Sequence, residues 1–406
     1  MKIAIILLAI VGSLYALILN IVQHRSANNP TPANVSDVYD AETYLKWKNY
    51  SAEHSRLDII STIVSCIITV ALLFTNVYAA FASLFPDGVF FQLLAVILLE
   101  IAVGTVVSTV RSYISTMIIE QKYGFNKSTM KTFVFDCIRS LVIELVLNTA
   151  LVVLMYAFHS WMGDWMIVFF AAAVFCISLL ISFLYPVLSR VGNKFEPLEE
   201  GELRTRLSDL LTKHGYKVKD ITVMDASRRT TKLNAYFSGF GKMKTIVLYD
   251  NLVNAMTPDE ICAVFAHELG HGLNKDVLKM QIMNIGNLLV MAVLVWLSVR
   301  TPMLHTAFGF TEVNYGFAYI LVSICLSVTS PLTGLIMNAY SRSAEYRADK
   351  QAVKEGYGPA MVTALKKLAK DNFAHLAPSK LNVVLEYSHP PLSRRIEEVE
   401  KAYKNK

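Results

Sequence analysis

Read from its first residue, the chain alternates long apolar runs with shorter polar stretches. Seven runs reach about 18 residues or more, enough for a helix to cross the hydrocarbon layer. They cover 1–22, 59–81, 89–110, 141–161, 165–188, 282–299 and 316–339. The first lacks a small-residue cleavage site and is expected to persist as an anchor rather than act as a signal peptide. After the fifth run the pattern turns globular. Residues 199–211 place apolar side chains at amphipathic-helix spacing, 220–224 and 244–249 alternate like strands, and 232–237 is a further strand candidate. Ser238-Gly239-Phe240-Gly241 then supplies a turn, so a small hairpin is expected. Thr257-Pro258-Asp259-Glu260 marks a helix start, with Thr257 as N-cap, Pro258 at the first helical position and Glu260 able to close a capping box. No proline follows until Pro302, so this helix is expected to run straight into the sixth span.

Composition agrees with the membrane pattern. Of 406 residues, 54% are hydrophobic and 17% charged, and a mean hydropathy of +0.43 excludes an ordinary soluble protein. A formal charge of +6 gives no reason to expect a nucleic-acid partner. The basic residues instead set topology. Loop 23–57 carries Arg25, Lys46, Lys48 and Arg56; loop 111–139 carries Arg111, Lys122, Lys127, Lys131 and Arg139; and Arg190 and Lys194 follow the fifth span. The intervening segments 86–88, 162–164 and 301–315 contain no Lys or Arg. Basic residues in every second loop put the N-terminus outside and regions 189–281 and 341–406 in the cytoplasm. The sequons at Asn34, Asn49 and Asn126 then lie on cytoplasmic loops and are expected to be unused. Five cysteines occur singly, which suggests neither a disulfide framework nor a thiolate metal site. Glu100, in mid-span, should face other helices or an interior, and a helix-packing hydrogen bond accounts for it as well as any functional role does. Glu144 sits a turn inside the fourth span.

The chemistry is concentrated in His267-Glu268-Leu269-Gly270-His271. Residues four apart share a helix face, so His267 and His271 can present two imidazoles to one metal ion, and Glu268 is placed to take a proton from a water there. A catalytic zinc needs a third protein ligand. The extended HExxHxxGxxH form is absent, because Asn274 and Val277 occupy its Gly and His positions. The best candidate is Glu345, which follows the seventh span as the pentad precedes the sixth; two antiparallel spans joined by a short outer loop bring them side by side. Asp349, one turn on, is placed to orient a ligating imidazole. His389-Pro390-Pro391, followed by Arg394 and Arg395, reads either as a donor to a developing oxyanion or as a turn before a surface helix. Asp276, five residues past His271, reads as part of a solvated face. His24, His54, His159, His214, His305 and His375 have no spacing that suggests a site.

Taken together, these residues resemble the type I CAAX prenyl proteases. The resemblance rests on the pentad, on Glu345 with Asp349, on Ser388-His389-Pro390-Pro391 with Arg395, and on Asn234-Ala235-Tyr236-Phe237 ahead of the strand at Ile246. Gly124-Phe125-Asn126, Asn193-Lys194-Phe195 and Pro197-Leu198-Glu199-Glu200-Gly201-Glu202-Leu203 belong to it too, and it covers nearly the whole chain from about residue 50. It implies a predominantly α, multi-pass fold: seven transmembrane helices forming a barrel around a large water-filled chamber, with side openings and a small cytoplasmic α+β metalloprotease region. It also implies that His389 contacts the reacting peptide or its oxyanion, that Arg395 supports the site, and that Asn234 and Ala235 belong to a strand aligning the substrate backbone. The family cleaves after the prenylated cysteine of a C-terminal Cys-aliphatic-aliphatic-X sequence.

The resulting expectation is a zinc endopeptidase with one Zn2+ per chain, held by His267, His271 and Glu345, with Glu268 as general base. Its parts are residues 1–188, spans one to five with their cytoplasmic loops; 189–281, the catalytic region; 282–340, spans six and seven; and 341–406, the tail carrying the third ligand. Its expected partners are the lipid bilayer and C-terminal peptides of prenylated proteins or other membrane-associated polypeptides. The expected place is a bacterial cytoplasmic membrane, or the endoplasmic reticulum in a eukaryote, with the site toward the cytoplasm. A quality-control endopeptidase is the alternative. A solute-conducting pore would repeat polar residues along several spans, and only scattered ones such as Glu100 and Asn148 stand out.

Overall fold

In the computed structural model, which describes residues 1–188, 190, 193–238 and 243–405, the apolar runs form helices α1 (Lys2–Ser26), α2 (Ala41–Phe74), α4 (Val89–Ser112), α5 (Met130–Met162), α6 (Met166–Leu188), α10 (Asp276–Arg300) and α12 (Tyr315–Lys354), with a short α3 (Val77–Ala82) after α2 and a short α11 (Pro302–Thr306) after α10. Six stretches of the described residues are long and apolar enough to cross a membrane. One of them, Met130–Leu184, folds back at the 3-10 turn Gly163–Trp165 and holds both α5 and α6, giving seven membrane helices. The second differs from its expected bounds. It begins at Ala41, capped by Asp40, and ends at Phe74 instead of continuing to residue 81. Asn76 is left-handed there, and the Lys2 ammonium donates to Phe74 O and Asn76 Oδ1, both at 2.7 Å, closing the helix end.

Neighbouring helices close a ring in the order α1, α2, α4, α5, α6, α10, α12 and back to α1. Its inner wall is polar. A cavity of about 670 Å3 is lined by Asp58, Ser61, Thr62, Ser65 and Thr69 of α2, with Glu100 and residues of α1 and α12. Another of about 310 Å3 is lined by Thr105, Ser108, Thr109 and Ser112 of α4 and Ser140 and Glu144 of α5. Polar positions therefore do recur along several spans, which corrects the expectation of scattered ones. Hydroxyls are inconspicuous in sequence because they hardly lower hydropathy and can bond their own helix, as Thr62 Oγ1 does to Asp58 O at 2.8 Å and Ser108 Oγ to Thr105 O at 3.2 Å. Glu100 faces this interior and accepts a hydrogen bond from Tyr78.

At the basic end the chain builds a four-stranded sheet, β1 (Phe195–Pro197), β2 (Lys217–Met224), β3 (Ala235–Ser238) and β4 (Met243–Tyr249), in the order β1-β2-β4-β3. β3 and β4 form the expected antiparallel pair, although the Gly239–Gly241 turn lies outside the described residues. The amphipathic helix starts at Glu202 rather than 199, as α7 (Glu202–Lys213). With α8 (Asp250–Ala255) and the sheet, α7 packs one apolar core against α9 (Pro258–Leu273). On the other side of α9 lies a second core, contributed by α12, α13 (Gly358–Asp371), α15 (Leu392–Lys404) and loop residues Val35, Val38 and Tyr39. That double burial explains why α9 is apolar almost all round. Its start carries the full capping box, Glu260 N to Thr257 Oγ1 at 3.3 Å and Thr257 N to Glu260 Oε2 at 2.8 Å, worth about 1 kcal/mol.

The expected continuous helix from 258 into the sixth span is wrong. α9 stops at Leu273, the Asn274 amide donates to Gly270 O at 2.8 Å, Lys275 adopts left-handed φ 55, and α10 restarts at Asp276. Gly270 O thus takes both the Asn274 backbone N, at 3.0 Å, and its side-chain amide, and this double donation marks the end of α9.

Candidate metal centre

Three elements meet at the site. α9 brings His267, Glu268 and His271, α12 brings Glu345 and Asp349, and the segment between α14 (Lys380–Leu385) and α15 brings His389. The two histidines are one helical turn apart with rings 4.9 Å between centroids and perpendicular. His267 Nε2 lies 3.5 Å from Glu345 Oε2 and His271 Nε2 3.3 Å from Glu345 Oε1. The three groups offer one ligand atom each within 4.8 Å of one another.

Both rings are held from behind. His267 Nδ1 lies 2.9 Å from Asp349 Oδ1, and His271 Nδ1 lies 3.0 Å from Asp276 Oδ2. Carboxylates at both Nδ1 atoms fix the tautomer and leave each Nε2 free to act as a ligand. Asp349 and Asp276 are themselves buried, at 1% and 3% exposure, and each is neutralised. The Arg395 guanidinium spans Asp349 with bonds of 2.6 and 2.9 Å and reaches Glu345 Oε2 at 3.2 Å. Asp276 accepts from Tyr340 at 2.7 Å and Arg347 at 2.9 Å.

The donor set fits a metal ion. Glu345 Oε2 is buried with no hydrogen bond, only the Arg395 guanidinium at 3.2 Å, and so keeps acceptor capacity that a metal ion can use. Two atoms each about 2.1 Å from a common tetrahedral ion lie about 3.4 Å apart, close to the separation each imidazole keeps from one or other Glu345 oxygen. Burial disfavours a charged His271, yet hydrogen bonds and charges from Glu345 and Asp276 raise its pKa to about 9, so the field at this point favours positive charge. Glu268 is half-buried beside the ring pair and makes no hydrogen bond among the described residues.

His389 takes the turn position that its sequence allowed. It lies in the turn ahead of α15, and its Nε2 points at Glu345 Oε1 from 3.4 Å. Arg342 holds that turn's approach, donating to Val383 O at 2.7 Å and Tyr387 O at 2.8 Å. Asn234 precedes and Ala235 opens β3, an edge strand packed against α9. Tyr249 N donates to Asn234 O at 3.1 Å, while Ala235 N donates to the Asn234 side chain at 2.9 Å. Asp276 is the residue that sequence reasoning missed. On a continuous helix it would lie about 140° round from His271, and only the break at Lys275 turns it back. An acid opening a new helix directly after Asn-Lys was the available signal. His305 and His375, set aside as structural, bond Ser298 O and Ser26 Oγ respectively, both at 2.9 Å.

The family descriptions matched by the chain divide where its composition does. Residues 20–190 match the CAAX prenyl protease N-terminal domain, five membrane helices, and residues 197–403 match peptidase family M48. The chain belongs to peptidase family M48. This M48 chain is 30% identical over 399 residues to the CAAX prenyl protease 1 homolog of Oryza sativa subsp. japonica, covering 95% of the chain and 93% of that protein. It is 28% identical over 399 residues to CAAX prenyl protease 1 of Saccharomyces cerevisiae, covering 90% and 87%. Among solved structures, that of S. mikatae Ste24p superposes with a TM-score of 0.91 at 27% identity, covering 98% of this chain and 99% of that one. The likeness therefore reaches into the first fifty residues, which the sequence motifs did not. The protein is a membrane-embedded metallopeptidase.

Proposed function

We propose that this M48 peptidase uses one zinc ion, held by His267, His271 and Glu345, to hydrolyse the peptide bond after a prenylated cysteine and release the last three residues of a Cys-aliphatic-aliphatic-X terminus. The observation that carries the metal assignment is the convergence of two back-supported imidazoles on a buried carboxylate with an oxygen left unbonded. Two His and one Glu is a catalytic zinc set with a position left open. The prenyl-peptide assignment is supported by the names of the relatives, each a CAAX prenyl protease 1 or its homolog.

Zinc would supply Lewis acidity toward a water and the scissile carbonyl. Glu268 takes the proton from the attacking water and returns it to the leaving amine, a role its free carboxylate suits. His389 donates a hydrogen bond to the oxyanion as it develops. Asp349 and Asp276 hold the two imidazoles, and Arg395 keeps Asp349 and Glu345 neutralised. The free edge of β3 takes the substrate backbone by strand addition, and Asn234 must first release Ala235 N. The basic loops support a cytoplasmic position for this end, on the side where C-terminal tails of prenylated proteins are found.

The test is cleavage of a farnesylated CAAX peptide and its unfarnesylated twin by detergent-purified protein, with an unfolded protein as a third substrate and a zinc chelator as control. Selective, chelator-sensitive cleavage of the farnesylated peptide is expected. Equal cleavage of both peptides, or digestion of the unfolded protein alone, replaces this reading with general membrane-protein quality control.

A further inference from the structure

A second built pocket lies away from the metal centre, at the basic end, where the start of α5 meets residues 193–194 and 228–229. It has a volume of about 540 Å3 and its lining includes five cations, Lys127, Lys131, Lys194, Arg228 and Arg229, and no carboxylate. Arg229 is paired with Asp136, whereas Lys127, Lys131 and Lys194 have no acidic partner among the described residues. The walls are tied together before any ligand arrives. Lys127 N donates to Arg229 O at 2.9 Å, Thr231 N donates to Phe125 O at 3.0 Å, and Asn126 bridges Thr230. Lys127, Lys131 and Lys194, gathered round one open pocket, repel one another unless an anion joins them.

The helix below the pocket decides which anion. α5 has two unlike faces. Asp136, Ser140 and Glu144 recur at helical spacing on the face that lines the interior cavity. Phe135, Ile138, Val142 and Val146 recur on the opposite face and are all exposed. Lys131 stands one turn above Phe135 on that outer face, and both line the pocket. Cationic side chains over a continuous apolar stripe match an amphiphile with an anionic head and acyl tails. The capped N-terminus of α5, with Thr129 as cap, adds favourable partial charge to the same spot.

We propose that this pocket binds the phosphate of an anionic phospholipid headgroup, with its acyl chains along the Phe135–Val146 face of α5. Lysine and arginine donate to the phosphate oxygens, and the apolar row covers the upper tail. A free phosphate shares the head chemistry and lacks the tail.

Full-length protein in neutral detergent is mixed with dioleoylphosphatidylglycerol, dioleoylphosphatidylcholine or inorganic phosphate; thermal unfolding and native mass spectrometry then read stabilisation and retained lipid. Phosphatidylglycerol is expected to raise Tm and to be retained, while phosphatidylcholine and inorganic phosphate do neither. Lys127→Ala with Lys131→Ala should weaken phosphatidylglycerol retention on the order of tenfold. Lys46→Ala with Lys48→Ala, a control on the same end of the molecule, should retain it as the unsubstituted protein does. The mass measurement reads binding even if a variant is less stable. The proposal is overturned if the Lys127 and Lys131 variant retains phosphatidylglycerol like the unsubstituted protein, if both double variants lose it equally, or if inorganic phosphate alone reproduces the stabilisation.

Discussion

Asp276 carries more of the site than its place in the sequence suggests. Its buried carboxylate takes His271 Nδ1, the Tyr340 hydroxyl and Arg347, and so joins the second histidine to α12 by a route independent of the metal. Asp276→Asn keeps the shape but offers a neutral amide, which holds the imidazole less firmly and lowers its basicity. Metal affinity should fall about 10- to 100-fold. Competition with a chelator of known strength measures this, and an unchanged affinity would remove Asp276 from the site. The contrast with its neighbours is physical. His267 and His271 were legible because four residues make one turn whatever surrounds the helix. Glu345 was legible because two antiparallel spans place it opposite. Asp276 depends on a left-handed lysine at φ 55, and the Asn-Lys-Asp run that marks it is short beside the unbroken helical pattern on either side.

At the scale of elements the site depends on how closely α9 approaches α12. Gly270, inside the HExxH turn, allows it: a Cβ there would stand 2.9 Å from Ala348 Cα and 3.0 Å from Gln351 Cβ. The obstacle is backbone of a helix buried on that side, so α9 itself would have to yield, taking His267 and His271 away from Glu345. Gly270→Ala should therefore cut kcat/KM by about 100-fold, in keeping with the cost of sub-ångström to ångström misplacement at a reacting centre. Peptide-cleavage kinetics check it, and a variant as fast as the unsubstituted protein would show that the two helices can separate without harm. The elements themselves were mostly legible. Helix starts, strands and the hairpin follow local chemistry, as the closed capping box at Thr257 illustrates. The misplaced ends, at Phe74 and Leu273, are those decided by partners elsewhere: Lys2 closes the first, and Asn274 with Lys275 ends the second.

For the whole molecule, which loops share one end was legible and ring closure was not. Lys and Arg in alternate loops place loops 23–57 and 111–139 with the sheet and the catalytic helix, and these regions do pack together, as in the bond of Lys232 to Glu120 and of Asn34 to Ser393 O. That the seven helices enclose a polar interior rather than packing solid was implied only by resemblance. Serine and threonine stripes hold that interior without interrupting apolar runs long enough to span a bilayer. The architecture sets the His267, His271 and Glu345 cluster on a helix, α9, that two apolar cores fix from either side. Its central claim is that one ion bound by His267, His271 and Glu345 works with Glu268 as the base. The measurement that tests this most directly is zinc content and peptide turnover determined together on Glu268→Gln. The expected result is zinc at the level of the unsubstituted protein with turnover lower by about 1,000-fold or more. Turnover at a substantial fraction of the original, or zinc lost along with it, would contradict the account.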